Sequence, residues 1–137
     1  MTKHSLLRAY LAGICVPTVF LLLVAAAFTC LRYVYDVPLP VERVIVFPMA
    51  AVPNVWGLWN VLFVKALAPR RVPLGLFGSL LPLLLAPLGF AVARLLEFPI
   101  PRHVLAAAPF GLPVAMILYY LAWKYLVGSL NGELELA

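Results

Sequence analysis

The stretch AYLAGICVPTVFLLLVAAAFTCL, residues 9–31, lies between Arg8 and Arg32 and contains twenty-three residues without a single charge. An α-helix rises about 1.5 Å per residue, and about 20 residues cross the hydrocarbon core of a bilayer. The stretch is therefore long enough to span a membrane. Working outward, three more stretches have the same character. Arg43 to Lys65 encloses twenty-one residues, Arg71 to Arg94 encloses twenty-two, and His103 to Lys124 encloses twenty. Each reads as a helix, over about 9–31, 42–66, 73–95 and 103–127. No two-residue alternation runs through them, so a β-barrel is excluded as a reading. The fold class predicted is all-α: a polytopic membrane protein with four transmembrane helices arranged as two tandem helical hairpins.

Composition agrees. Hydrophobic residues make up 66% of the 137, charged residues only 11%, and mean hydropathy is +1.08. A water-soluble domain of this size could not hide that much apolar surface. Lys3 and Arg8 before an apolar run ending in Ala25-Ala26-Ala27 resemble a secretion signal. The run exceeds the roughly 7–15 residues of a signal's apolar core, so it reads as a retained span. Thr29-Cys30 is a poor lipoprotein cleavage site because a smaller residue normally precedes that cysteine. Cys15 and Cys30 fall in one helix, roughly 22 Å apart at the helical rise, and cannot bridge each other.

Four spans place both termini on one side. Lys3, Arg8, Lys65, Arg70, Arg71 and Lys124 share that side, against Arg32, Arg43, Arg94 and Arg102 on the other. Positive residues favour the cytoplasm, so both termini are expected there, in a bacterial inner membrane. The net charge of +5 sits at helix ends rather than along one face, which excludes a nucleic-acid footprint. Lys65, Arg70 and Arg71 are expected to contact anionic lipid headgroups.

The first outer loop reads Asp36-Val37-Pro38-Leu39-Pro40, and the second reads Glu97-Phe98-Pro99-Ile100-Pro101 sixty-one positions later. Pro48 and Pro109 share the offset, and Arg32 and Arg94 match within one residue. These matches predict a duplicated two-helix hairpin with parallel repeats, the first over about 6–67, the second over about 70–128, then a short tail 129–137 within one membrane domain. Convergence is the competing reading, since proline suits a first helical turn, acids an N-terminus and arginine a C-terminus.

Tyr33 and Tyr35 close the first helix, and Tyr119, Tyr120, Trp123 and Tyr125 surround Lys124 at the end of the fourth. Amphipathic rings favour the headgroup zone, so these residues read as interface anchors. Gly128 and then Asn131-Gly132 read as the end of that helix.

Candidate chemistry is sparse. Every Asp, Glu, Lys, Arg and His falls near a span end, whereas membrane enzymes and proton-coupled carriers place ionisable groups inside the bilayer. No Ser-His-Asp set, phosphate loop or metal-ligand spacing occurs, so no enzyme, cofactor or metal is expected. His4 and His103 lie on opposite faces of the membrane and cannot share an ion. Asn54, Trp56, Trp59 and Asn60 form the candidate polar intramembrane site. Asn54 is mid-span, where an unpaired amide is expensive, and Pro48 and Pro53 deprive the carbonyls of Val44 and Met49 of their donors. Ala50, Asn54, Gly57 and Val61 share a face suited to close helix contact. The plain reading makes Asn54 a packing contact, satisfied by the Met49 carbonyl or by a neighbouring helix, whose replacement by leucine costs about 0.5–2 kcal/mol. The functional reading makes it the wall of a solute path.

Pro82, Pro87 and Pro113 add to Pro48, Pro53 and Pro109 as sites of expected kinks. Arg32, Asp36, Arg94 and Glu97 form a candidate outer-face charge cluster, which helix-end electrostatics explain equally well. The expected role is a non-catalytic accessory or structural subunit, packing in the bilayer as a homo-oligomer or within a larger membrane complex. A small oligomeric transporter or channel with its site on helix two is the alternative. Small multidrug-type carriers have this size, but the acid inside their first helix is absent here. A headgroup enzyme using Asp36, Glu42 and Glu97 is the weakest reading.

Overall fold

A computed structural model describes residues 3–136, and every regular element among them is helical. Four helices are long and apolar enough to cross a membrane. They are α1 (Lys3–Val34), α2 (Val41–Arg70), α3 (Leu74–Leu95) and α4 (Arg102–Glu133). The outer helices overrun the sequence-based limits. α1 has 32 residues, about 48 Å at the helical rise, and α4 continues through Gly128–Glu133. Charges mark where lipid ends, but backbone hydrogen bonding continues past that point. Gly128 is helical, with φ −60° and ψ −43°, so the expected stop there and the tail from residue 129 are corrected. Ala137, the end of that tail, lies outside the described residues.

α2 is composite. A π-helical segment covers Ile45–Met49, an α segment Ala50–Leu62, a second π segment Phe63–Leu67, and a 3₁₀ turn Ala68–Arg70. Pro48 lies in the first π segment. It has no N–H for the carbonyl of Val44, and a π turn offers that carbonyl the donor five residues on, at Met49. α3 is interrupted at Leu80, two residues before Pro82, where the Leu80 N–H donates to the Phe77 carbonyl at 3.3 Å.

All four helices end on a non-glycine residue in the left-handed region: Asp36 (φ 54°), Arg71 (φ 57°), Glu97 (φ 55°) and Glu135 (φ 55°). After Glu97, the Phe98 N–H reaches back five residues to the Ala93 carbonyl at 2.8 Å, and Glu97 donates to Arg94 at 3.1 Å. Val72 and Arg71 repeat the arrangement on Leu67 and Ala68 at 3.4 and 3.1 Å. This is the doubly bonded cap that satisfies the last free carbonyls of a helix. At Asp36 the cap is one residue wider, because the Val37 N–H reaches back six residues to Leu31 at 3.0 Å.

The chain divides into two compact units between Lys65 and Ala66. In the first, α1 buries Ala9, Ala12, Gly13 and Pro17 while α2 buries Trp56, Gly57, Asn60, Phe63 and Val64. These positions recur every three or four residues, so each helix presents one stripe. A Cβ placed on Gly13 would lie 2.6 Å from the Trp56 carbonyl oxygen and 2.8 Å from the Gly57 Cα. Backbones approach closely here because neither helix has a side chain in the way, the usual device of membrane helix pairs. Ala50, which sequence put on the contact face with Gly57, is exposed. The seam follows Trp56, Gly57, Asn60 and Val64 instead.

In the second unit α3 buries Gly75, Phe77, Gly78, Leu81, Pro82 and Leu85, and α4 buries Trp123, Val127 and Asn131 at four-residue intervals. Trp123 is fully buried, with its ring against Gly78. Its expected role as an interface anchor is corrected: it is core. The loop-proximal halves are bare by contrast. No residue between Arg102 and Leu121 is buried, and Phe110 is 78% exposed.

Candidate polar site on the first unit

The polar residues singled out on α2 point to two different surroundings. Asn60 is fully buried, and its Nδ2 donates to the Ala9 carbonyl of α1 at 2.8 Å. That carbonyl has two lone pairs, so it can accept this bond beside its helical one. Asn54 stays exposed. Its Nδ2 donates to the Ala50 carbonyl at 2.7 Å, and its Oδ1 accepts from the Tyr10 hydroxyl at 2.5 Å. The carbonyl used is that of Ala50, one turn back, and not the Met49 carbonyl that Pro53 leaves without a donor. Asparagine is short, and its amide reaches the carbonyl four residues before it.

Trp56 is buried and Trp59 half-buried. The structure thus brings Asn54 and Asn60 into one helix seam with Tyr10 and Ala9. Sequence reasoning missed both partners. A backbone carbonyl has no signature in sequence, and nothing in the sequence ties Tyr10 to a residue forty-four positions away. The signal that could have found the seam was the pair of small residues, Gly13 and Gly57. The Tyr10 ring lies directly over Gly57, where an added Cβ would come within 2.6 Å of it.

These side chains can donate and accept hydrogen bonds. They include no nucleophile with an adjacent base, and no group of three His, Cys, Asp or Glu residues among the described ones could hold a metal.

At the outer loops Arg32 pairs with Glu42, a residue outside the predicted charge cluster. The Arg32 Nη1 bonds Glu42 Oε1 at 2.6 Å, and lies 3.5 Å from the Leu39 carbonyl, while Asp36 forms the left-handed cap. Glu42 opens α2, so the pair ties the end of one helix to the start of the next. Both side chains are more than a third exposed, so solvent screening leaves the pair a weak contributor to stability. Arg94 and Glu97 belong to the second unit, where Glu97 is likewise the cap. Lys65, Arg70 and Arg71 are exposed. The Lys124 ammonium lies 5.0 Å from the Tyr125 ring centre and 5.8 Å from that of Tyr120, within cation–π range.

A chain whose described elements are all helical, four of them long and apolar enough to span a bilayer, with two amides of α2 bonded to α1, defines an all-α integral membrane protein. No protein-family model, no curated protein and no solved structure matches it.

Proposed function

We propose that this protein is a non-catalytic accessory or structural subunit that works by packing in the membrane, with copies of itself or within a larger membrane complex. The observation carrying this reading is the use made of the two amides of α2. Asn60 is buried on Ala9, and Asn54 bonds Tyr10 and Ala50. A solute path lined by these residues needs their amides turned to a cavity, whereas here they join helices. The large exposed apolar area on α1, including Phe20 at 63% and Leu23 at 66%, supplies surface for such packing.

Purification from native membranes in mild detergent should recover the protein as a homo-oligomer or with a stoichiometric membrane partner. Reconstituted alone, it should show no solute flux above empty liposomes. Asn60→Leu should lower its stability by about 0.5–2 kcal/mol. Robust flux that Asn60→Leu abolishes without affecting folding would establish the transporter reading instead.

The same reading places both termini in the cytoplasm of a bacterial inner membrane. Reporters fused at the C-terminus and in the Arg70–Arg71 loop should both read as cytoplasmic, and Arg70→Gln with Arg71→Gln should weaken that bias. External labelling of either site in intact cells refutes the orientation.

The two units are further read as a duplicated hairpin. Asp36 and Glu97 are left-handed caps at the shared offset, and Pro40 and Pro101 precede α2 and α4. The wider cap at Asp36 accounts for Arg32 and Arg94 being one residue out of step: Leu31 and Ala93 are sixty-two apart, Val37 and Phe98 sixty-one. A single residue gained or lost within the cap changes the offset there.

A further inference from the structure

Asn54 leaves half of its hydrogen-bonding capacity unused. A primary amide has two N–H donors and two acceptor lone pairs. One donor is engaged by the Ala50 carbonyl and one lone pair by the Tyr10 hydroxyl, yet the side chain remains exposed. The residue lies eleven positions from Arg43 and eleven from Lys65, about 16 Å of helix from either charge. At that depth neither water nor lipid tails can satisfy the remaining N–H and lone pair.

We propose that the open side of Asn54 docks a second copy of this chain across a two-fold axis, so that the two Asn54 amides bond each other. The proposal rests on the packing role above. The leftover groups are one donor and one acceptor on the same amide, which is self-complementary. Rotation by half a turn makes each amide donate to its mate and accept from it, the reciprocal contact of a two-fold interface. An ion or a charged helix would satisfy one of the two groups and leave the other. The neighbouring surface permits the approach: Ala50, one turn before Asn54, is small and exposed, and Leu58, one turn after, is 63% exposed. A small residue beside a polar one is the combination on which membrane helices close together.

The test uses the full chain in liposomes at high lipid-to-protein ratio, with Cys15→Ser and Cys30→Ser as background. Single cysteines introduced as Ala50→Cys or Leu58→Cys should cross-link copy to copy on mild oxidation. Ile117→Cys on α4, 61% exposed in the native chain, serves as the reference for random collision. Adding Asn54→Leu to Ala50→Cys should weaken association roughly five-fold, which corresponds to about 1 kcal/mol of interhelical hydrogen bonding. Should that variant misfold, the cross-linking of Ala50→Cys with Asn54 intact still decides the matter. Cross-linking no greater than at Ile117→Cys overturns the proposal. In native membranes, capture of a different chain at Ala50→Cys overturns it while leaving the packing role intact. Native protein that purifies alone, with neither a copy nor a foreign chain bound, removes both.

Discussion

Gly13→Ala is expected to destabilise the first unit by about 2–3 kcal/mol, the upper part of the range for overpacked sites. The reason is the kind of atom in the way. An added methyl would sit 2.6 Å from the Trp56 carbonyl oxygen, 2.8 Å from the Gly57 Cα and 2.9 Å from the Asn60 Cβ. None of these is the mobile end of a side chain, so the α1 and α2 backbones must separate. Separation also lengthens the Asn60–Ala9 hydrogen bond, leaving a buried amide without its carbonyl. Gly111→Ala is the matched control. Nothing lies within 4 Å of its would-be Cβ, and replacing glycine in a helix interior should gain up to about 1 kcal/mol. Unfolding in mixed micelles, followed by tryptophan fluorescence, measures both. Equal effects at the two positions would show that α1 and α2 do not meet at Gly13.

The second large effect is expected where Trp123 fills the space over Gly78. A Cβ on Gly78 would lie 2.0 Å from Trp123 Cγ and 2.4 Å from its Cβ. The indole is fully buried and its root is fixed to α4, so Gly78→Ala should cost about 2–3 kcal/mol. Trp123→Ala should cost about 3 kcal/mol, the low end for a buried tryptophan, because in lipid the loss is of dispersion contacts rather than of burial from water. The decisive measurement is the pair. With the ring gone, the methyl at residue 78 has room, so the double variant should be more stable than the sum of its parts by about 1 kcal/mol or more. Strict additivity would mean that the two residues are not in contact.

Trp123 shows where sequence reasoning stops. Beside Lys124 and Tyr125 it has the composition of an interface belt, and the two neighbours do stay at the surface, with Lys124 near the Tyr125 ring. Each residue advances a helix by about 100°, so adjacent side chains face different surroundings. Composition identifies the depth of a residue and leaves its direction open. The same limit applied at Arg32, which could reach Asp36 on its own helix end or Glu42 across the loop. The left-handed turn at Asp36 made Glu42 the partner. Asn54 and Asn60 were legible as the polar residues of α2, but their different fates, one exposed and one buried, were not.

What the sequence determined by itself was the membrane class, the number of spans and the positions of the loops. The cost of taking charge and bare backbone out of water depends on residue type and run length alone, and four uncharged runs of twenty or more residues admit one solution. What only the tertiary structure decided was the register and rotation of the helices: Gly13 on Gly57, Gly78 under Trp123, Asn60 on Ala9. Lipid tails are as apolar as leucine, so most rotations of a span bury it equally well. The choice among them falls to a few small and polar residues whose partners lie forty or more positions away.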